Sequence, residues 1–177
     1  AGYGLNPPAV GVDFFQGPLA DPGDGIDNDK DGMIDEPNET IIMSKFVYYN
    51  NDFSLIGNPE VAQHYYGYLT GFWKDGLPIV DNFSNGGEGN GYPPAGDGPV
   101  TNYMFPGDPC SDLGWTEDNA DNPRNEDRRF LQSAGPFTLQ PGAVNEIVTG
   151  VVWARGFYRD QFGSVCELFS ADDVAQA

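Results

Sequence analysis

Apolar residues recur along this chain with two different periods, and each period predicts a different element. "IIMSKFVYYN" (41–50) concentrates β-branched and aromatic side chains and predicts a strand entering the core. In "GNPEVAQHYYGYLTGFWKDG" the spacing lengthens. Val61, Tyr65, Tyr68, Leu69 and Phe72 recur at i, i+4, i+7, i+8 and i+11, the stripe of a helix with one buried side. Asn58 is placed to cap that helix, with Pro59 at its first position, Glu60 in its first turn and Gly76 at its end. Gly67 and Gly71 each cost roughly 1 kcal/mol in a helix interior, and their i, i+4 spacing predicts another backbone packed closely there. The period returns to two in "GPFTLQPGAVNEIVTGVVWARG". Phe137 and Leu139 lead into a Gln140-Pro141-Gly142 turn, after which Ile147, Thr149, Val151 and Trp153 alternate on one face. Val148, Val152 and Ala154 make the other face apolar too, which predicts a strand covered on both sides. Ser164 and Glu167 then have capping-box spacing ahead of Leu168 and Phe169, so a last amphipathic helix is expected.

Between Asp81 and about Asn125 the periodicity disappears into Gly, Asn, Pro and Asp, as in "SNGGEGNGYPPAGDG" and "TEDNADNPRNED". That stretch is too long for an ordinary connection, so its loops are either tied down by ions and aromatic anchors or form a binding surface. Trp115, Tyr103 and Phe105 are the expected anchors. The pattern as a whole predicts an α+β fold: a β-rich, sandwich-like sheet with two or so helices and long Gly/Asn/Pro loops.

Composition bounds the rest. With 177 residues, one domain with a sizeable core is expected across 1–177. A formal net charge of −19 works against nucleic acid and anionic membranes as partners and favours cations. No apolar run is long enough to span a bilayer, and "AGYGLNPPAV" has neither a basic start nor an apolar h-region. Cys110 and Cys166 are too few for a disulfide scaffold and too far apart for a metal knuckle. One bridge between them, or a bond outside this chain, are both compatible with their settings.

Charge is densest in "GDGIDNDKDGMIDE" (23–36), where six carboxylates share fourteen positions with one lysine. Asp27, Asp29 and Asp31 occupy positions 1, 3 and 5 of a D-x-D-x-D-G loop, with Gly32 at position 6. Alternate side chains then converge on one cation, while Gly32 takes the sharp turn that aims the Met33 carbonyl inward. Ile34 is expected to anchor the loop to a core, and Asp35 stands at position 9, where a ligand often acts through water. Position 12 is Asn38 rather than glutamate, and Pro37 blocks an exiting helix, so Glu36 or Glu39 is left to supply the missing carboxylate. Asp24 is placed to add an outer ligand. The expected site is thus an EF-hand-like loop (24–39) without EF-hand helices, holding calcium through Asp27, Asp29, Asp31, Met33, Asp35 and Glu36. Hard oxygens without imidazole or thiolate favour calcium over zinc or copper. Asp118, Asp121 and Glu126 are candidates for a second calcium site, although their spacing matches no defined loop.

"DGIDNDKDGMIDE" resembles segments of secreted surface proteins of Bacteroidota and is akin to thrombospondin type 3 and dockerin calcium loops. "DRRFLQSAGPFTLQPGAVNEIVTGVVWARG", "MFPGD" and "PPAVGVDFFQGP" also look like such proteins, many of which are exported by the type IX route. The resemblance implies export and residence at the cell surface, and it supplies no enzymatic activity. A type IX sorting domain is missing, and "SADDVAQA" reads as a helix cut short, so a piece of a longer protein is expected.

Catalytic signatures are weak. His64 is the single histidine and reads as a satisfied boundary residue; no G-x-S-x-G elbow, P-loop or dinucleotide fingerprint appears. Arg124, Arg128, Arg129 and Arg155 are expected to pair with neighbouring acids. The expected function is a noncatalytic extracellular calcium-binding module, a building block of a surface protein or filament, with copies of itself or other surface proteins as partners. The alternative is a glycan-binding or hydrolase-accessory module using the rings of Tyr48, Tyr49, Trp73, Tyr92, Trp115 and Tyr158. Exposed, coplanar rings around a groove would favour the alternative, and buried rings would favour the scaffold.

Overall fold

A computed structural model describes residues 9–83, 89–93, 98–107, 113–117, 119–120 and 127–154. The elements run β1 (Ala9–Gln16), β2 (Lys45–Asn50), α1 (Ala62–Thr70), β3 (Arg128–Ser133) and β4 (Val148–Ala154). They form a mostly-β α+β fold with two small antiparallel sheets, β1 paired with β4 and β2 with β3. The expected helix after Ser164, both cysteines, Arg124, Arg155, Tyr158 and the Asp118/Asp121/Glu126 group lie outside the described residues.

The core forms where β2 presents alternate side chains. Val47 and Tyr49 are buried, while Phe46 and Tyr48 are half-buried on the other face. Tyr68 from α1 meets Tyr49 at 5.4 Å between ring centroids and Trp73 at 5.5 Å, edge to face. Ile79, Met104 and Trp115 complete the cluster. Both buried indoles need an acceptor, since an unpaired N–H in an apolar interior is costly. Trp73 Nε1 donates to the Gly91 carbonyl at 2.8 Å, and Trp115 Nε1 to the Gly89 carbonyl at 2.6 Å. The expected loop anchors are found here: Trp115 is buried against Phe105, and the Tyr103 hydroxyl donates to the Met43 carbonyl. Residues 102–104 also lie along β2, with Phe46 N donating to the Asn102 carbonyl and Met104 N to that of Phe46, so the second edge of β2 is covered.

Several expectations are corrected. The helix is shorter than its pattern, starting after Val61 without a side-chain cap and ending at Gly71, whose φ of 86° closes it in the left-handed region; Gly76 turns the chain afterwards. Of its stripe only Tyr68 is buried, and Val61, Tyr65, Leu69 and Phe72 are exposed. The close backbone is real at Gly67, where a Cβ would stand 3.2 Å from the Phe72 carbonyl oxygen, whereas Gly71 meets only the Lys45 side chain. The strand expected from Ile41 begins at Lys45, because Ile41 N–H is engaged by the Pro18 carbonyl. The turn at Gln140–Ala143 is present, with Gly142 at φ 84°. Its flanks do not pair with each other; β4 pairs with β1 instead. Nor do the described residues cover β4, since Val151 is 73% and Trp153 63% exposed.

Candidate metal centre

The acidic stretch lies between β1 and β2, in a loop pinched at its base. Ala20 N donates to the Glu39 carbonyl (2.9 Å) and Ile41 N to the Pro18 carbonyl (2.8 Å), around a bridge between Leu19 and Thr40. Gly17 permits the pinch, because a Cβ there would fall 1.6 Å from the Ile41 carbonyl oxygen. Asp21 adds a tie outside the loop, accepting from Thr138 N (2.8 Å) and Oγ1 (2.7 Å), and these bonds hold its carboxyl below the ordinary carboxylate range.

Within the pinch each aspartate spends an oxygen on the backbone. Asp27 Oδ2 accepts from Gly32 N (3.0 Å), Asp29 Oδ1 from Asp31 N (3.2 Å) and Asp31 Oδ1 from Met33 N (2.8 Å). These bonds wind the chain around a centre, and Gly32 makes the turn at φ 98°. Two groups of three carboxylates result: Asp27, Asp29 and Glu39, and Asp29, Asp31 and Glu36. In each, one oxygen per residue lies within 4.8 Å of the others. Asp29 belongs to both.

Four of the expected ligands, Asp27, Asp29, Asp31 and Glu36, are therefore brought together. Glu36 and Glu39 were alternatives for the missing carboxylate, and the fold brings both in, Glu39 at 6% exposure. Asp35 stands apart, its Oδ1 accepting from Gly25 N at 3.2 Å. Met33 contributes its N–H to the winding, and its side chain is exposed. Ile34, expected to anchor the loop, is 60% exposed; the pinch at Gly17 and Ile41 does that work instead. Asp24 accepts from Ile26 N and from the Asn28 amide. Sequence reasoning missed Asn28, whose backbone N–H holds the Glu39 carboxylate. No loop motif marks that position.

The electrostatics are unfavourable for the protein alone. Lys30, the loop's cation, sits 5.6 Å from the Tyr103 ring centroid rather than among the carboxylates. None of the ion pairs seen among the described residues involves the cluster. Asp27 Oδ1 and Glu36 Oε2 are buried and accept no hydrogen bond. The Glu36 backbone N–H pulls its own pKa down, but burial and the charges of Glu39, Asp31 and Asp29 outweigh that, and the net direction is up. Oxygen-only donors with unpaired buried lone pairs suit a hard cation of calcium's kind. A cleft of about 280 Å³ between residues 19–22 and 35–39 leads from solvent to Glu36 and Glu39.

Other candidate groups are accounted for locally. His64 Nδ1 accepts from Glu60 N at 3.3 Å, Arg128 pairs with Glu117 at 3.1 Å, and Arg129 pairs with Asp127 at 2.9 Å. No protein-family model, curated protein or solved structure matches the chain.

Proposed function

We propose that this chain is a noncatalytic structural module of an extracellular or cell-surface protein, stiffened by calcium in the 24–39 loop. The observation that carries the reading is the pair of buried, partnerless carboxylate oxygens, Asp27 Oδ1 and Glu36 Oε2, one in each acidic triad. Leaving such groups unsatisfied costs stability, and a divalent ion supplies what both lack. Extracellular modules of this type bind calcium at roughly 10⁻⁴ to 10⁻³ M, which matches calcium outside cells. A loop between two sheets, closed by its own backbone, serves shape rather than signalling.

The glycan-binding alternative has less support. Tyr49, Trp73 and Trp115 are buried in the core, and Tyr48 and Tyr92 are half-buried, with Tyr48 edge to face against Phe105. Those rings lie in the core cluster or pack against it.

Thermal melts of metal-stripped protein test the proposal. At ~100 times the dissociation constant, calcium adds about 2.7 kcal/mol to unfolding, or roughly 5 to 10 °C for a chain of this size. Asp29→Asn, which weakens both triads with little change in shape, removes that response. A melt indifferent to calcium would overturn the reading.

A further inference from the structure

The chain that leaves β1 for the acidic loop is gripped by residues far away in sequence. In the bridge between Leu19 and Thr40 the bonds run from Ala20 N to the Glu39 carbonyl and from Ile41 N to the Pro18 carbonyl. The N–H and C=O of Leu19 itself therefore point away from Thr40. One side chain takes both. Asn145 Oδ1 accepts from Leu19 N at 2.8 Å and Asn145 Nδ2 donates to the Leu19 carbonyl at 3.1 Å, so the carboxamide pairs with Leu19 as a neighbouring strand would. Glu146 N also donates to Asn145 Oδ1, at 3.1 Å, and orients the amide. Two residues beyond Leu19, the Asp21 carboxylate receives Thr138 N on one oxygen and Thr138 Oγ1 on the other. Thr138 and Asn145 flank the turn at 140–143, in the segment that joins β3 to β4. Gly135 of that segment donates its N–H to Ser44 Oγ at 3.0 Å, a tie to the other side of the loop's base.

What these ties hold in place is Ala20. It stands between the two clasped residues, and its N–H holds the carbonyl of Glu39, which enters one triad while Glu36 enters the other. A two-bond bridge between short segments is marginal in water without such support. We propose that Asn145 and Thr138 are positioning residues for the cation site, so that the β3–β4 segment sets calcium affinity and calcium in turn steadies that segment. The inference rests on the cation reading and adds that the site is shaped from 117 and 126 residues away. Their bonds go to Leu19 and Asp21, outside both triads, so they act on the ion only through where they hold the chain. Preorganisation gives the direction. A loop already held in its binding geometry loses less freedom when calcium arrives, and cutting the clasp should weaken binding. Linkage requires the converse, with calcium closing the clasp by the same factor.

Calorimetric titration of the metal-stripped full chain with calcium reads the first half. Asn145→Ala removes both Leu19 bonds and should weaken calcium binding about 10-fold, while Thr138→Val removes one of the two Asp21 bonds and should weaken it less. Gly71→Ala, at the end of α1, is the control. Lost stability alone does not change the affinity of a chain that stays folded, so its dissociation constant should match that of the unaltered chain. Hydrogen exchange of the unaltered chain reads the second half. Calcium should slow the Leu19 and Thr138 amides about as many fold as Asn145→Ala weakens binding. Should Asn145→Ala misfold by circular dichroism, the exchange measurement decides by itself. Calcium that binds Asn145→Ala as tightly as the unaltered chain, or that leaves both amides unmoved, overturns the inference while the cation reading stands. No heat of binding, together with no calcium-dependent exchange anywhere in 24–39, would overturn both.

Discussion

Glu36 shows how one side chain can be a liability without metal and an asset with it. Its pKa is raised, so the metal-free folded state holds the Glu36 proton more tightly than the unfolded chain does. The group therefore favours folding at pH below its unfolded value and penalises it once pH has risen through the folded value. Glu36→Gln removes the penalty while keeping the shape. In metal-stripped protein it should raise the melting temperature at pH 7 and leave it little changed at pH 4. The calcium-induced rise should shrink at the same time, because an amide is the weaker ligand. Melts of both proteins at the two pH values check this, and a destabilised, metal-free Gln variant at pH 7 would contradict it. Much of this site was legible in the residues. Asp27, Asp29 and Asp31 announce it by spacing, and Gly32 by position. The placement of Glu39 was not settled, because it depends on the Ala20–Glu39 and Pro18–Ile41 backbone bonds, which join parts of the chain 19 and 23 residues apart.

Elements were legible where a local signal suffices. β2 declares itself through buried Val47 and Tyr49, and the turn before Ala143 through Pro141-Gly142. α1 was overextended because its apolar period runs past the point where the backbone stops. Gly71 at φ 86°, with its N–H turned to the Tyr68 carbonyl, ends it one turn after the buried Tyr68. Gly71→Ala puts a Cβ into that left-handed conformation. It should cost about 1 kcal/mol, as strain rather than collision, since the nearest neighbour is the flexible Lys45 side chain at 3.4 Å. Gly76→Ala, also at positive φ but with open space around it, gives the comparison in urea unfolding. β3 and β1 were missed as strands for another reason. "RRFLQS" carries two arginines and pairs only with β2, and "AVGVDFFQ" pairs with a strand more than 130 residues later, so neither partner can be read from local pattern. The same pattern misled at β4, where apolar residues on both sides predicted cover that the chain's described residues do not provide.

At the scale of the molecule, the acidic loop is one of two covalent links between the sheets: β1 leads into it and β2 leaves it, while residues 134–147 join β3 to β4. Its order therefore bears on how the ribbon is held to the core, together with the Gln132 Nε2 bond to the Val12 carbonyl at 2.8 Å. Lysine-specific proteolysis can read that order directly. Of the three lysines, Lys74 has a side chain only 6% exposed and Lys45 is half-buried beside Asn102, whereas Lys30 is exposed at the tip of the loop. A protease must unwind several residues around its target, and in the loop that means breaking the Asp27–Gly32 and Asp29–Asp31 bonds. Calcium bound to those carboxylates should oppose the opening, and its removal should release it. Cleavage at Lys30 is expected to quicken at least ~10-fold in chelator, with Lys45 and Lys74 spared until the core unfolds. Residues 1–30 should then stay with the remainder in gel filtration, because β1 is still paired with β4, and should separate only under denaturant. Equal cleavage rates with and without calcium would mean that the ion does not order the loop, and loss of the N-terminal piece without denaturant would mean that β1 does not stay paired with β4 once its own link is cut.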